Sequence, residues 1–143
     1  MRWVSIPLSL SNLTLANTLP VGQSFLWHRR TLQPGSSSST APDASEEFSR
    51  AIDHPPRVLF LRQTASHLHY ACTYPDNHEE EADKNYETTK RWLHDYFQLD
   101  HDLDRLYADW KQSDPLLFGK VDINERAIGV RLLRQDPWEC LLA

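Results

Sequence analysis

The sequence predicts an α+β domain in which an antiparallel sheet carries helices on one face. Three observations support this class. Segments of alternating polarity fill the first half of the 143-residue chain, apolar residues at helical spacing fill the second half, and 40% of all residues are hydrophobic. Strands that precede helices, rather than alternating with them, are typical of an antiparallel sheet covered on one side. The length and the apolar fraction suit one domain of moderate size.

Strands are predicted wherever apolar and polar residues alternate over a short run. Such runs lie in the first half, and two shorter apolar pieces near the start can add edge strands. The runs are residues 24–30, 48–52, 58–63 and 67–74, and the edge pieces are residues 3–7 and 13–15. The Asp-His-Pro-Pro sequence at residues 53–56 joins two of the runs and suits a hairpin connection.

A flexible loop is predicted over residues 31–46. This segment holds a run of serines at 36–39, flanked by Pro34, Gly35 and Pro42. It has too few apolar side chains to offset the entropy lost on ordering. Because strand-like runs lie on both sides, we expect a loop within one domain rather than a domain boundary.

Two helices are predicted in the second half. Apolar residues between Ala82 and Phe97 recur about every 3.6 residues, which indicates a helix over residues 79–98. Its acidic first turn suits the positive end of the helix dipole. The spacing from Leu103 to Trp110 indicates a second, shorter helix with Asp100 as its N-cap.

The chain closes on a third helix start. The Asp136 side chain can accept the unpaired N–H groups of a first turn, and Pro137 tolerates the first helical position. The remaining residues fall short of the about 12 that a typical helix contains. We therefore expect this helix to be cut short.

Charge and composition exclude several classes. The net charge is -5 and the isoelectric point is about 5.7, so bulk charge does not indicate nucleic-acid binding, and a local basic patch stays open. Two cysteines, Cys72 and Cys140, are too few for a disulfide framework. The chain has no secretory leader and no apolar run of about 18 residues. These features predict a soluble intracellular protein without a membrane partner.

Two patterns resemble metal sites but are incomplete. His67 and His69 lie on one face of a strand, yet zinc requires more ligands than this pair provides. The alternating carboxylates of residues 100–104 resemble a calcium loop, but Arg105 and Lys111 stand where a glycine and a bidentate glutamate are needed. We predict no metal and no cofactor.

A basic cluster near the end allows two interpretations. Its members are Lys120, Arg126, Arg131 and Arg134. Basic residues beside a helix start can contact DNA phosphates, which makes Arg131 and Arg134 candidates for the DNA backbone. Alternatively, some of them cap carbonyl groups or pair with Asp136 and Glu139.

Five stretches, in the same order along the chain, carry a family resemblance. They are WVSIP (3–7), LPVGQSFLW (19–27), YFQLD (96–100), LYADW (106–110) and GVRLLRQDPWECL (129–141). Together they resemble the N-terminal domain of eukaryotic 8-oxoguanine DNA glycosylases, which belong to the helix-hairpin-helix glycosylases. The resemblance implies a twisted sheet likened to half of the TATA-binding-protein fold. It assigns residues 1–128 to this domain and residues 129–143 to the start of a helical domain.

The resemblance also implies a function. Members of the family excise 8-oxoguanine from damaged double-stranded DNA and cleave the abasic strand, as nuclear base-excision repair enzymes that act as monomers; a mitochondrial form stays open. Their catalytic Lys and Asp follow the region matched by this chain, so we expect the chain alone to be inactive. Whether it is a naturally truncated product or a fragment stays open. A noncatalytic DNA- or protein-binding module is the alternative.

One binding residue follows from the resemblance. Gly22 matches the family glycine whose backbone carbonyl accepts a hydrogen bond from N7–H of 8-oxoguanine, with Gln23 and Phe25 expected to aim it. Ordinary guanine has an acceptor at N7, so it would meet the carbonyl with two lone pairs. The alternative is that Gly22 only permits a turn. Leu26 departs from the Arg usual after this Phe, which puts the polar contacts of that Arg in doubt.

Overall fold

An antiparallel sheet forms the centre of the domain. The computed structural model describes residues 1–33, 41–120 and 127–142, and within these ranges the sheet has five strands in the order β1-β5-β4-β3-β2. The strands are Val4–Pro7 (β1), His28–Thr31 (β2), Glu46–Ile52 (β3), Arg57–Gln63 (β4) and His67–Thr73 (β5). With the helices that follow, this sheet confirms the α+β class.

Alternation places the core on one face of the sheet. Leu61 pairs with Phe48 on one side and with Tyr70 on the other, and all three side chains are buried. Leu59 and Leu68 extend the same face and are fully buried. Each large apolar side chain buried in this way contributes about 1.5–3 kcal/mol to the free energy of unfolding.

Helices and one extended segment complete the domain. The helices are Leu15–Thr18 (α1), Asn77–Ala82 (α2), Glu87–Tyr96 (α3), Leu103–Ser113 (α4) and Pro137–Leu142 (α5). None of the helices in the described part of the chain is long and apolar enough to span a membrane. Residues 129–135 run back along the N-terminal part, where the Gly129 carbonyl accepts a hydrogen bond of 2.8 Å from the Thr14 N–H. The predicted helix start at Asp136 is confirmed, because its carboxylate accepts the Glu139 N–H at 2.8 Å.

The single helix predicted over residues 79–98 is wrong, because the chain breaks between α2 and α3. Asn85 and Tyr86 have φ angles of 53° and 64°, in the left-handed region that a continuous helix excludes. The buried Asp83 carboxylate then accepts the Thr89 N–H at 3.0 Å, so it pairs one of the free N–H groups in the first turn of α3. Local periodicity continues across such a break, which explains the error.

Three smaller boundaries also differ from the predictions. Asp102, not Asp100, caps α4, since its carboxylate accepts the Asp104 N–H at 3.0 Å. Residues 13–15 form no edge strand, because α1 begins at Leu15. Residues 24–27 precede the strand predicted to include them, and β2 begins only at His28.

The predicted loop over residues 31–46 is shorter at both ends. Thr31 ends β2 and Glu46 begins β3, and the Leu32 N–H donates to the Ser45 carbonyl at 2.8 Å. The serine run at residues 36–39 lies outside the described residues.

Candidate functional site

A glycine turn lies between α1 and β2. Gly22 is exposed and has a φ of +84°, a conformation that residues with a Cβ rarely adopt. A Cβ built at this position would have no heavy atom within 4 Å apart from those of residues 21–23. Backbone conformation, and not crowding, therefore requires glycine here, and the turn is open to an approaching ligand.

Gln23 ties this turn to the extended segment before α5. Its side-chain amide donates to the Arg131 carbonyl at 2.8 Å, and its side-chain oxygen accepts the Leu133 N–H at 3.1 Å. The Gln135 amide in turn donates to the Gln23 backbone carbonyl. These three hydrogen bonds join the turn to the extended segment and fix Gln23, the residue next to Gly22.

Ser24 ties the other end of the turn to α5. Its hydroxyl donates to the Glu139 carboxylate at 2.5 Å. The same carboxylate oxygen accepts the Tyr96 hydroxyl at 2.7 Å and an Arg50 N–H at 2.9 Å. The Gly22 turn, α3, β3 and α5 therefore meet at one carboxylate. This carboxylate is buried, since Glu139 is only 2% exposed.

Aromatic rings surround the cation of this network. The Arg50 guanidinium carbon lies 5.8 Å from the Trp27 ring centre, 5.4 Å from that of Trp92 and 5.1 Å from that of Tyr96. Its Nε is buried without a hydrogen-bond partner among the described residues, so the ring faces are its neighbours there. Burial raises the pKa of Tyr96 to about 12, and its hydrogen bond to Glu139 acts in the same direction. Tyr96 therefore stays a neutral donor to the carboxylate.

Arg131 belongs to the same segment, and its buried side chain joins the segment to the neighbouring backbone. It is 4% exposed, and its guanidinium donates to the backbone carbonyls of Asn12 at 2.5 Å, Gln98 at 2.7 Å and His101 at 2.7 Å. Burial lowers its pKa from the ordinary value, against the opposing effect of the Asp102 carboxylate. The side chain holds the segment that Gln23 binds.

The geometry therefore joins two of the motifs that carry the family resemblance, residues 19–27 and residues 129–141, into one unit around Gly22. A family model described as "8-oxoguanine DNA glycosylase, N-terminal domain" matches residues 5–141. The chain belongs to this family.

Two curated relatives agree with this membership. The N-glycosylase/DNA lyase OGG1 of Arabidopsis thaliana is 28% identical over 146 residues, which cover 99% of this chain and 32% of the relative. The N-glycosylase/DNA lyase of Saccharomyces cerevisiae is 29% identical over 145 residues, which cover 99% of this chain and 33% of the relative. The chain thus spans about a third of the length of these relatives.

Within this glycosylase-family domain, the two arginines proposed as DNA contacts lie in different environments. Arg131 is buried, and its N–H groups donate to backbone carbonyls. This is the alternative that the sequence analysis left open. Contact with a phosphate would require an exposed side chain with free donors. Arg134 has a side chain that is 62% exposed, and it pairs with Asp95 at 2.5 Å. Lys120 is exposed, and Arg126 lies outside the described residues. Contact with the DNA backbone stays a prediction for Arg134.

Phe25 and Leu26 differ from what the family motif suggested. Phe25 is 69% exposed and precedes β2, so it does not support the turn by packing in the core. Leu26 stands where the family usually has Arg, and it is 36% exposed. The guanidinium next to Trp27 is that of Arg50, on β3.

The histidine and aspartate patterns serve the fold. His69 bonds the Ser5 hydroxyl at 2.8 Å and the Thr64 hydroxyl at 3.2 Å, and burial lowers its pKa, with His67 acting in the same direction. Asp104 accepts the Ser11 hydroxyl at 2.8 Å. Within the described ranges, no group of three or more His, Cys, Asp or Glu side chains could hold a metal ion.

Sequence reasoning missed the residues that anchor the turn. These are Ser24, Arg50, Tyr96, Gln135 and Glu139. Several of them stand inside the two family motifs, but nothing local pairs one motif with the other. The one available signal was Arg50, a charged residue at an inward position of an otherwise apolar alternation.

Proposed function

We propose that this chain is the N-terminal part of a base-excision repair DNA glycosylase that recognises 8-oxoguanine in damaged double-stranded DNA. The observation that carries the proposal is the exposed, left-handed turn at Gly22, which lies in a chain matched to this family over residues 5–141. Neighbours that are hydrogen-bonded to a buried scaffold hold this turn. A base that binds at this turn meets a carbonyl group that is already oriented, so binding costs little conformational entropy.

The chemistry of recognition follows from one backbone oxygen. In the proposal, the Gly22 carbonyl accepts a hydrogen bond from N7–H of the flipped base. Guanine presents an acceptor at N7, so the same carbonyl would face a lone pair and lose its hydrogen bond with water. An unmatched buried acceptor costs about 1–3 kcal/mol, which corresponds to roughly fivefold to more than 100-fold in affinity.

The excision and strand-cleavage steps are proposed for the whole protein and not for this chain. The curated relatives are named N-glycosylase/DNA lyase, and the chain covers about a third of their length. In the proposal, a lysine amine and a partner carboxylate outside the matched third perform the covalent step. We also propose that the complete protein acts as a monomer in the nucleus.

Replacement of Gly22 with Ala tests the proposal in a glycosylase in which this chain replaces the matched third of the Arabidopsis relative. The methyl group faces the approaching base, and the φ of +84° adds backbone strain. We expect weaker binding and slower excision of 8-oxoguanine, with nearly unchanged binding to a duplex that carries an abasic-site analogue, because that ligand places no base in the pocket.

The unsubstituted chimera and its melting temperature are the controls. If Gly22→Ala weakens both duplexes equally and lowers the melting temperature, Gly22 is only a turn residue. If the unsubstituted chimera does not prefer 8-oxoguanine to guanine, the recognition role itself is wrong.

A further inference from the structure

The Gly22 turn receives its position from its neighbours and not from packing. A Cβ built on Gly22 would contact nothing within 4 Å beyond its own chain neighbours, and the residue is exposed. On its C-terminal side, Gln23 and Ser24 are the next two residues, and both are hydrogen-bonded to the segment that ends in α5. What holds these two residues therefore decides where the Gly22 carbonyl points.

The Ser24 hydroxyl has a defined role in this arrangement. Its oxygen accepts the Leu26 N–H at 3.4 Å, while its proton goes to the Glu139 carboxylate at 2.5 Å. Ser24 is 5% exposed, so little water competes for this proton. Hydrogen bonds to an ionised acceptor in such surroundings are among the stronger ones in proteins.

Glu139 is itself held in place from three directions. Its N–H donates to the Asp136 carboxylate at the start of α5, and its carboxylate accepts hydrogen bonds from Arg50 on β3 and Tyr96 on α3. The Arg50 side chain is 9% exposed and that of Glu139 is 2% exposed. A carboxylate fixed by a buried cation and a neutral phenol gives Ser24 an anchor that does not depend on the loop.

We propose that Glu139 is a positioning residue for the Gly22 carbonyl and that it acts through the Ser24 hydroxyl. The inference rests on the proposed function of Gly22. It makes α5 and the recognition turn one mechanical unit, so that a displacement of α5 would move the base-reading oxygen. A purely structural Glu139 would fasten α5 to the sheet and leave base discrimination unchanged.

The two roles separate because Ser24 can be changed without touching the anchor. Ser24→Ala removes the bond to the loop but keeps Arg50, Tyr96 and Glu139 together. Ser24→Thr restores a hydroxyl at the same position. Ser66→Ala is the matched control, because this hydroxyl is exposed and bonds the neighbouring His67 ring.

Binding is measured in the chimera described above, with duplexes that contain 8-oxoguanine or an abasic-site analogue. We expect Ser24→Ala to weaken binding of the 8-oxoguanine duplex about tenfold and to leave the abasic duplex within about twofold. Glu139→Gln should act in the same direction, and Ser24→Thr should recover most of the loss. If the unsubstituted chimera prefers 8-oxoguanine and Ser24→Ala discriminates equally well, the inference is overturned. Equal weakening of both duplexes in Ser24→Ala would also overturn it.

A measurement without ligand tests whether Glu139 and Ser24 position Gly22. It remains decisive if the chimera fails to prefer 8-oxoguanine, because that failure would refute the proposed function alone. The chain has four glycines, so ¹⁵N-glycine labelling of the 143-residue protein gives a Gly22 signal that is easily assigned. The Gly22 order parameter should fall in Ser24→Ala and Glu139→Gln and stay at the wild-type value in Ser66→Ala. An unchanged order parameter in Ser24→Ala would overturn the inference.

Discussion

The role of Arg131 leads to a sharp stability prediction. The two arginines of the RLLR sequence are three residues apart, yet Arg131 is 4% exposed and the Arg134 side chain is 62% exposed. Replacement of Arg131 with Met removes three hydrogen bonds of 2.7 Å or shorter and leaves the carbonyls of Asn12, Gln98 and His101 without that donor. The same replacement at Arg134 breaks one exposed ion pair.

The magnitude follows from these contacts. Hydrogen bonds from a charged group contribute about 1.5–3 kcal/mol each. Three bonds at the lower end of that range, less about 1 kcal/mol for the apolar burial that Met regains, predict that Arg131→Met loses about 3–4 kcal/mol of the free energy of unfolding. Arg134→Met should lose at most about 1 kcal/mol, the usual limit for an exposed pair.

Urea unfolding followed by tryptophan fluorescence and far-ultraviolet circular dichroism measures both variants. The predicted loss is a large share of the about 5–15 kcal/mol typical of a folded domain, and it corresponds to a melting temperature lower by about 10–15 °C. Equal slopes of free energy against urea concentration are required for the comparison. If the free energies of unfolding of the two variants differ by less than about 1 kcal/mol, the stabilising role of the Arg131 hydrogen bonds is refuted.

Two further predictions concern chemistry and pH. The 143-residue chain by itself should give no borohydride-trapped adduct with an 8-oxoguanine duplex, because the family's catalytic Lys and Asp are expected outside it; an adduct that depends on one of its own lysines would contradict this. The folded-state pKa of Tyr96, raised to about 12 by burial, exceeds the ordinary value of 10.0, so the folded protein holds this proton longer than the unfolded chain does. The stability linked to it is therefore intact below pH 10 and is lost as the pH rises from 10 towards 12. Tyr96→Phe should be less stable at neutral pH and should lose less stability over that interval, and an unchanged slope in alkaline unfolding titrations would contradict the assignment.

Much of the domain follows from local pattern. The runs of alternating polarity predicted β3, β4 and β5, because side chains of a half-buried strand alternate between protein and solvent. The start of α5 followed from Asp136 and Pro137, since a helix N-terminus needs acceptors for its unpaired N–H groups. Both features depend on residues a few positions apart.

Gly22 was identified as a candidate through the family resemblance, with a simple turn as the alternative, and its backbone conformation follows from the residue type. Its anchors could not be predicted in this way. Arg50 and Glu139 are 89 residues apart in sequence, and Ser24 and Glu139 are 115 apart. Neither separation leaves a periodic signal. Ser24 and Glu139 look like ordinary polar residues within their own segments, and the inward position of Arg50 does not show which residue it will pair with.

The sequence alone determined the α+β class, the three central strands, the helix start at Asp136 and the family. These features rest on periodicity, capping and motif, which are local properties of the chain. Only the tertiary structure decided that Arg131 is buried while Arg134 is exposed, and that Glu139 joins α5 to the loop of Gly22. The physical reason is desolvation. Whether a charged side chain loses its water depends on which distant carbonyls, hydroxyls and aromatic rings the fold brings around it, and the free energy of the charge changes with those partners.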